Sequence, residues 1–203
     1  MTYQEAIAII HSLSKPSKMP CHGYSLSAFS CKTGSALSDV VGSVCEECYA
    51  KRHFYRCPSV KRALDKRMAA FDHPRFAEAM AVVIRHREYS GFWRWFDSGD
   101  VQNIIHFGKI VRIAELRPDV KFWLPTKEYA IVRAGVAKYG HPANLSIRLS
   151  AYMVDGPAPK LGFPTATVTR GNATCPAPKQ GGKCLSCRAC WDSSVVNVSY
   201  GKH

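Results

Sequence analysis

The sequence lacks any apolar run that approaches the roughly 18 residues needed to cross a bilayer. Acidic residues are also few: there are 15 Asp and Glu against 28 Lys and Arg, which gives a net charge of +13. The first residues, MTYQEAIAIIHSLSKPSKMP, show no basic start followed by an apolar core and a small-residue cleavage site, so they do not match an export signal. We therefore expect a cytoplasmic protein with no membrane partner.

Motifs that place catalytic groups at a fixed spacing are missing as well. The chain has no G-x-S-x-G nucleophile elbow, no phosphate-binding loop, no dinucleotide fingerprint and no H-E-x-x-H zinc motif. Its 203 residues, 46% of them apolar and 21% charged, fit one globular domain with a single core. The unusual feature is the presence of nine cysteines.

Four of these cysteines fall within sixteen positions near the carboxyl end: Cys175, Cys184, Cys187 and Cys190. In a reducing cytoplasm, clustered thiols are more often metal ligands than disulfides, and an odd number cannot pair completely. The C-x2-C-x2-C run suits the irons of a [4Fe–4S] cluster, with Cys175 as the fourth ligand. Gly181 and Gly182 would allow the intervening loop to fold back.

Further cysteines lie upstream, and three of them form a second candidate set: Cys31, Cys45 and Cys48. A cluster held by three protein cysteines leaves one iron open to a ligand or substrate, whereas Cys21 and Cys57 are expected to be free thiols. The C-terminal four are the first choice of ligands, but a site shared by both segments or two separate clusters would also fit. Tetrahedral zinc, bound for example by Cys45 and Cys48 with two C-terminal cysteines, is the alternative metal, since both metals accept thiolates.

The middle of the chain alternates strand and helix patterns. Strands are predicted at FWRWF (92–96), VKFWLP (120–125), NLSIRLSAYM (144–153) and TATVTR (165–170). Helices are predicted over 101–118, capped by Asp100, and over 128–140, closed by Gly140. Shorter helices are predicted over 1–12 and after Pro74, with an irregular segment over 13–44. Alternating strands and helices imply a mainly parallel sheet.

The predicted fold is therefore a single α/β domain with a partial β/α-barrel-like sheet and cysteine-rich loop segments at both ends. The metal-binding domain would span residues 1–203. Within it, 13–58 would form the N-terminal cysteine-rich segment, 90–170 the α/β core and 171–191 the C-terminal cysteine segment. The aromatic side chains of Trp93, Trp95, Phe96 and Trp123 are expected in the core.

Polar residues follow the first of these strands in the DSGD turn. Functional groups in parallel sheets gather at the carboxyl ends of the strands. Asp97, Ser98 and Asp100 are therefore catalytic candidates, and Ser98, Gly99 and Asp100 are candidates for binding a cofactor. Ser98 and His106 would support ester hydrolysis if nucleophile and base came within hydrogen-bond reach.

Lys and Arg concentrate in KRHFYR (51–56), KRALDKR (61–67) and RHRE (85–88). A basic patch of this kind can bind phosphate backbones without sequence preference. A solvated basic helix face is the other interpretation of the same residues.

Several of these motifs together resemble a known family. SCKTG, VCEECYAKRHFYRCPSVKRALDKR, WFDSGD, LSAYMVDG and the C-terminal CP…CxxCxxCW tail occur in this order across most of residues 28–191. They resemble the phage gene product 88-like family. The resemblance implies a phage protein that works in the cytoplasm of the infected host and carries a metal cluster.

CEECY and SGD are also distantly similar to motifs of radical S-adenosylmethionine enzymes, which hold a [4Fe–4S] cluster at the mouth of a partial β/α barrel. The C-x3-C-x2-C spacing of those enzymes is absent here. The sequence thus predicts a [4Fe–4S] enzyme, redox or radical-like, that acts on a small-molecule substrate near the SGD turn. An iron–sulfur ester hydrolase and a basic nucleic-acid-binding module, stabilised by zinc or a cluster, are the alternatives.

Overall fold

The computed structural model describes residues 1–202, apart from the side chain of His53. The described strands are β1 (Gly23–Tyr24), β2 (Phe92–Trp95), β3 (Lys121–Thr126), β4 (Leu145–Val154), β5 (Thr165–Thr169) and β6 (Asn197–Gly201). The α-helices are α1 (Tyr3–Ile10), α2 (Lys32–Leu37), α3 (Pro58–Asp72), α4 (Phe76–Arg87), α5 (Ile104–Leu116) and α6 (Tyr129–Tyr139). Short 3-10 helices span Ala28–Ser30, Tyr49–Lys51, His53–Arg56, Ala177–Gln180 and Ala189–Trp191. Across residues 1–202, no helix combines the length and apolar character needed to span a membrane.

All six strands form one parallel sheet, and their order in the sheet is their order in the chain. Helix α5 connects β2 to β3 and helix α6 connects β3 to β4, whereas loops and 3-10 helices make the last two connections. Sequential parallel strands are the arrangement of a β/α barrel, and here the sheet stays open. The predicted single α/β domain with a partial-barrel sheet is confirmed.

Local sequence signals explain several helix ends. Thr2 and Glu5 form a capping box at α1, in which the Glu5 carboxylate accepts a hydrogen bond from the Thr2 amide at 2.8 Å. Pro58 is the first residue of α3, a position where a backbone N–H has no acceptor within the helix, so proline loses no hydrogen bond there. Helix α6 ends at Gly140, whose φ of +80° favours glycine.

The prediction that Asp100 caps α5 is wrong. The helix begins at Ile104, and Asn103 is its cap: the Asn103 side-chain oxygen accepts a hydrogen bond from the His106 amide at 2.8 Å. The chain leaves β2 through a tight turn before it can enter the helix, so Asp100 lies outside the first helical turn.

Side chains alternate between the two faces of the sheet, and each face is covered differently. The helix-covered face belongs to the main core, which includes Trp93, Trp95, Phe122, Leu124 and Ile147. On the other face, Trp123 packs with Cys21 and Trp191 in a smaller cluster joined by Cys190 and Tyr200. The C-terminal cysteine segment therefore covers the face that would line the interior of a closed barrel. The predicted burial of the aromatic strand residues is confirmed.

The segment 13–44, predicted to be irregular, contains three short regular elements. These are β1, a 3-10 helix and α2, and β6 follows the C-terminal cysteine segment. Strand β1 has only two residues, and its ladder depends on pairing Gly23 with Arg94 and Tyr24 with Trp95. Such a strand carries no period of its own, so it could not be recognised from the sequence.

Candidate functional site

The DSGD turn lies at the carboxyl end of β2 and is fastened to the chain that follows β1. The Leu26 amide donates to the Ser98 carbonyl at 3.0 Å, and the Ser98 hydroxyl donates back to the Leu26 carbonyl at 2.8 Å. Gly99 has a φ of +78°, and a Cβ there would lie 2.7 Å from the Cβ of Leu26. Phe96, just before the turn, also has a positive φ of +51°. The turn therefore requires glycine and has little freedom to move.

Asp100 is the buried carboxylate of this turn. Its Oδ1 accepts a hydrogen bond from the Val101 amide at 2.7 Å, and its Oδ2 accepts one from the Lys127 amide at 2.9 Å. Burial raises the pKa of Asp100 to about 6, although these amide donors act in the opposite direction. The side chain thus ties the ends of β2 and β3 together.

Asp97 and Arg94 retain buried polar atoms without a partner. Tyr55 donates to Asp97 Oδ2 at 3.0 Å, and the Tyr49 hydroxyl donates to the Asp97 carbonyl. Asp97 Oδ1 and Arg94 Nε are buried and have no hydrogen-bond partner among the described residues. A buried acceptor and a buried donor therefore remain unpaired near this strand end.

Cys31, Cys45 and Cys48, here called the N-terminal cysteine group, come together at the same edge of the sheet. A Cβ at Gly34 would lie 3.6 Å from Sγ of Cys45 and 3.7 Å from Sγ of Cys31, so both sulfurs face one space. Burial raises the pKa of Cys31 to about 12, and Asp100, Cys48 and Cys45 add to the rise through their negative charge. The group thus lies beside the SGD turn.

The chain around this group is held by β3 and β4. The buried Glu128 carboxylate accepts hydrogen bonds from both the amide and the hydroxyl of Thr33, each at 2.9 Å. The Val44 amide donates to the Tyr152 carbonyl at 2.8 Å. Burial raises the pKa of Cys45, and the positive charges of Lys127 and Lys51 lower it. The site is therefore built by the carboxyl ends of β2, β3 and β4 and by the loop that precedes α3.

The C-terminal cysteine group, Cys175, Cys184, Cys187 and Cys190, lines a separate cavity of about 250 Å³. Burial raises the pKa of Cys190 to about 11, and its Sγ lies 3.1 Å from the Tyr200 hydroxyl. Burial also raises the pKa of Cys184, and the thiols of Cys175 and Cys187 contribute to the rise. The predicted set of four is therefore gathered around one space.

Arg148 fastens the loop that carries this group. Its side chain is fully buried. It donates to five backbone carbonyls, those of Cys190 (3.0 Å), Thr165 (3.2 Å), Val195 (2.9 Å), Ala189 (2.7 Å) and Asp192 (2.6 Å). The Trp191 indole donates to the Trp93 carbonyl at 2.8 Å. Sequence reasoning missed Arg148, and its one signal was a lone arginine inside the apolar strand NLSIRLSAYM.

The model of the Gene product 88 family matches residues 3–193, which is nearly the whole chain. The chain belongs to the Gene product 88 family. This confirms the phage family indicated by the motifs. No curated protein and no solved structure gives a significant match, so the similarity to radical S-adenosylmethionine enzymes has no support from these comparisons.

The remaining cysteines of this Gene product 88 family protein lie outside both groups. Cys21 is buried against Trp123 and Trp191, and burial raises its pKa to about 12. Cys57 is exposed just before α3, and all nine cysteines are free. Within residues 1–202, no group of three or more His, Cys, Asp or Glu side chains is arranged closely enough to hold a metal ion.

The structure does not join Ser98 to His106 in this Gene product 88 family protein. The Ser98 hydroxyl is directed to the Leu26 carbonyl. His106 Nε2 lies 2.8 Å from Asp72 Oδ1, and its ring packs on Phe71 with centroids 4.5 Å apart. Since nucleophile and base have other partners, the geometry gives the ester-hydrolase alternative no support.

Proposed function

We propose that this Gene product 88 family protein is a [4Fe–4S] enzyme whose reaction, redox or radical-like, takes place at the carboxyl edge of the sheet. The observation that carries the proposal is the position of the N-terminal cysteine group beside Asp100 and the SGD turn. Three thiolates leave one iron of a cubane without a protein ligand. A bound cluster would supply an electron and an open iron, and this edge is where a parallel sheet places its ligands.

The size of the cavity between the C-terminal cysteines favours a cluster over a single zinc ion. Zinc with Zn–S bonds of about 2.3 Å needs four thiolate sulfurs about 3.8 Å apart in a tetrahedron. In a cubane each thiolate binds a different iron, so the sulfurs stand further apart. The cavity of about 250 Å³ between the C-terminal cysteines leaves room for such a group.

The residues of the chain have separate roles in this proposal. Lys127 and Lys51 offset the negative charge of the thiolates, as their effect on the pKa of Cys45 indicates. The free acceptor on Asp97 and the free donor on Arg94 would bind polar groups of a substrate near β2. Asp100 keeps the two strand ends at a constant separation under the site.

The C-terminal cysteine group would hold a second cluster with four protein ligands. Because all four irons would then have a thiolate, this site would serve electron transfer or stability rather than substrate binding. Its position on the inner face, under Arg148 and Trp191, agrees with such a role. Two clusters correspond to about eight irons per chain.

Anaerobic purification with iron, sulfide and zinc analysis tests the proposal. We expect about eight irons per chain and a broad visible absorption band in the wild-type protein. Replacing Cys45 and Cys48 with Ser should halve the iron, and replacing Cys187 and Cys190 should do the same. The exposed Cys57→Ser variant is the matched control and should keep its iron. Stoichiometric zinc in a colourless protein would contradict the proposal.

The reaction class is tested on the reduced protein by electron paramagnetic resonance. A change of the cluster signal when S-adenosylmethionine is added, lost in the Cys45/Cys48 variant, supports a radical-like reaction. A signal that responds to reductant but not to S-adenosylmethionine supports a simple redox role. A protein that contains iron but shows no reducible cluster contradicts both.

A further inference from the structure

Three aromatic side chains near the N-terminal cysteine group are exposed to solvent. Phe29 is 52% exposed, Tyr49 55% and Phe54 70%. They lie on the three 3-10 helices that flank Cys31 and Cys48 in the chain. Large aromatic rings are favourably buried when a surface is available to cover them. Three of them at one edge therefore mark a contact surface.

Tyr49 fixes this surface to the strand end. Its hydroxyl donates to the Asp97 carbonyl, while its ring meets that of Tyr55 edge-on with centroids 5.9 Å apart. The exposed ring is thus anchored at both its polar tip and one edge. The surface begins at the carboxyl end of β2, beside the proposed reaction site.

Exposed cations lie among the aromatic rings. They are Lys32, Arg52, Arg56 and Lys61. Lys61 Nζ lies 5.6 Å from the centre of the Phe29 ring. Among the described residues none of these cations is in an ion pair. We call these four cations, with Phe29, Tyr49 and Phe54, the aromatic–basic surface.

Two acids close to Arg52 in the chain are engaged elsewhere. The Glu46 carboxylate accepts a hydrogen bond from the Gly42 amide at 2.8 Å, and Glu47 lies 3.4 Å from Lys202 Nζ. Asp65 lies one helical turn after Lys61 on α3, so one acid stands near four cations and the surface keeps an excess of positive charge. It adds to a chain with a net charge of +13.

We propose that the aromatic–basic surface binds single-stranded nucleic acid and brings it to the carboxyl edge of the sheet. Bases would stack on the three rings while phosphates pair with the cations, the combination used to bind unpaired strands. A duplex would offer phosphates but no free base faces, and carboxylates alone would supply charge but no rings to stack. The binding of nucleic acid to this surface does not depend on the proposed function. Only the statement that nucleic acid is the substrate class of the reaction site rests on that function.

Fluorescence anisotropy with labelled oligo-dT of about 20 nucleotides, repeated with oligo-U, tests the binding. For wild-type protein we expect the logarithm of the association constant to fall by about 0.7 per phosphate contact for each tenfold rise in salt concentration. Phe54→Ala and Phe29→Ala should each weaken binding about tenfold with an unchanged salt slope. Arg52→Gln with Arg56→Gln should lower the slope.

Tyr89→Ala is the matched control. Tyr89 is 85% exposed and follows the basic segment RHRE, but it precedes β2 at the opposite end of the sheet. It should keep wild-type affinity, and heparin, which has charge without bases, should bind Phe54→Ala as tightly as wild type. Three outcomes would overturn the proposal. They are an equal loss of oligo-dT affinity in Phe54→Ala and Tyr89→Ala, an equal loss of heparin and oligo-dT affinity in Phe54→Ala, and tighter binding of duplex than of single strands. Iron measured on the same samples tests the proposed function separately, because the binding assay does not depend on it.

Discussion

The two cysteine groups of the molecule are built in opposite ways. The C-terminal group comes from one short segment that lies on the inner face of the sheet, where a single fully buried side chain, Arg148, holds the loop. The N-terminal group joins a cysteine before α2 to two others before α3, and strands β3 and β4 hold it at the carboxyl edge. The first is local and enclosed, whereas the second depends on distant parts of the chain.

In the proposed function this contrast corresponds to a division of roles. Four thiols around one cavity would suit a group that stays coordinatively complete, and three thiols beside a strand-end carboxylate would suit one that accepts a ligand. Exposed aromatic rings lie around the N-terminal group, while the C-terminal group is packed against Trp191 and Tyr200. Substitutions at the residues that hold each region should therefore affect the two regions separately.

The largest expected effect is at Arg148. Arg148→Met removes a fully buried donor to five backbone carbonyls and leaves them without this partner, so we expect the free energy of unfolding to fall by about 3 kcal/mol or more. Urea denaturation measures this loss, and iron analysis should show that the C-terminal group is the one depleted.

Arg112→Met is the control for Arg148→Met. Arg112 is exposed and pairs with Glu115 at 3.2 Å on the surface of α5, so its loss should change stability by no more than about 0.5 kcal/mol. Similar losses in the two variants would show that Arg148 does not organise the loop.

Gly99→Ala should damage the N-terminal region. Its φ of +78° strains any side chain, and the new Cβ would overlap Leu26, so we expect a loss of about 3 kcal/mol in unfolding free energy. Gly140→Ala has nearly the same φ, +80°, but open space around it, and should cost about 1 kcal/mol. Equal midpoints in urea for the two variants would refute the close approach of Leu26 to the turn.

The smallest of the three effects is the pH dependence due to Asp100. Its folded pKa of about 6 lies above the ordinary value of 3.8, so folding favours the protonated form. The stability it contributes is fully present below about pH 4 and is lost as pH rises through 6, on the order of 2 kcal/mol. Asp100→Asn should remove this part of the pH profile.

Urea midpoints of the metal-free chain between pH 4 and pH 7 measure this pH effect. As the pH rises from 4 to 7, wild type should lose stability relative to Asp100→Asn. A difference that stays constant over this range would show that the carboxyl group is not perturbed.

The α/β core could be predicted because its signals are local. Strands β2 to β5 carry apolar and aromatic runs, and α5 and α6 carry helical periods, so each was recognised without its neighbours. Strand β1 was missed because its two residues gain order only by pairing with β2. The cap of α5 was misassigned to Asp100 because both Asp and Asn can cap, and only the path of the chain selects Asn103.

The candidate site was predicted in part for the same reason. The spacing of the C-terminal cysteines indicated one group, and the four line one cavity. Cys31, Cys45 and Cys48 were a second candidate set, but the interval between Cys31 and Cys45 is too long to indicate a shared site. The fold brings these cysteines together from loops on either side of α2. Ser98 and His106 are close in sequence, yet each has a different partner, because the turn after β2 sends their side chains to separate elements.

The sequence by itself determined the fold class, the buried aromatic strands, the family and the clustering of four thiols, since each depends on residue type at short range. Only the tertiary structure decided that the cysteines form two groups, that Asp100 links β2 to β3, and that Arg148 holds the C-terminal loop. These features arise from contacts between residues far apart in the chain. At such contacts the packing of the fold sets the hydrogen-bond distances and the burial of the side chains. No local sequence pattern encodes this packing.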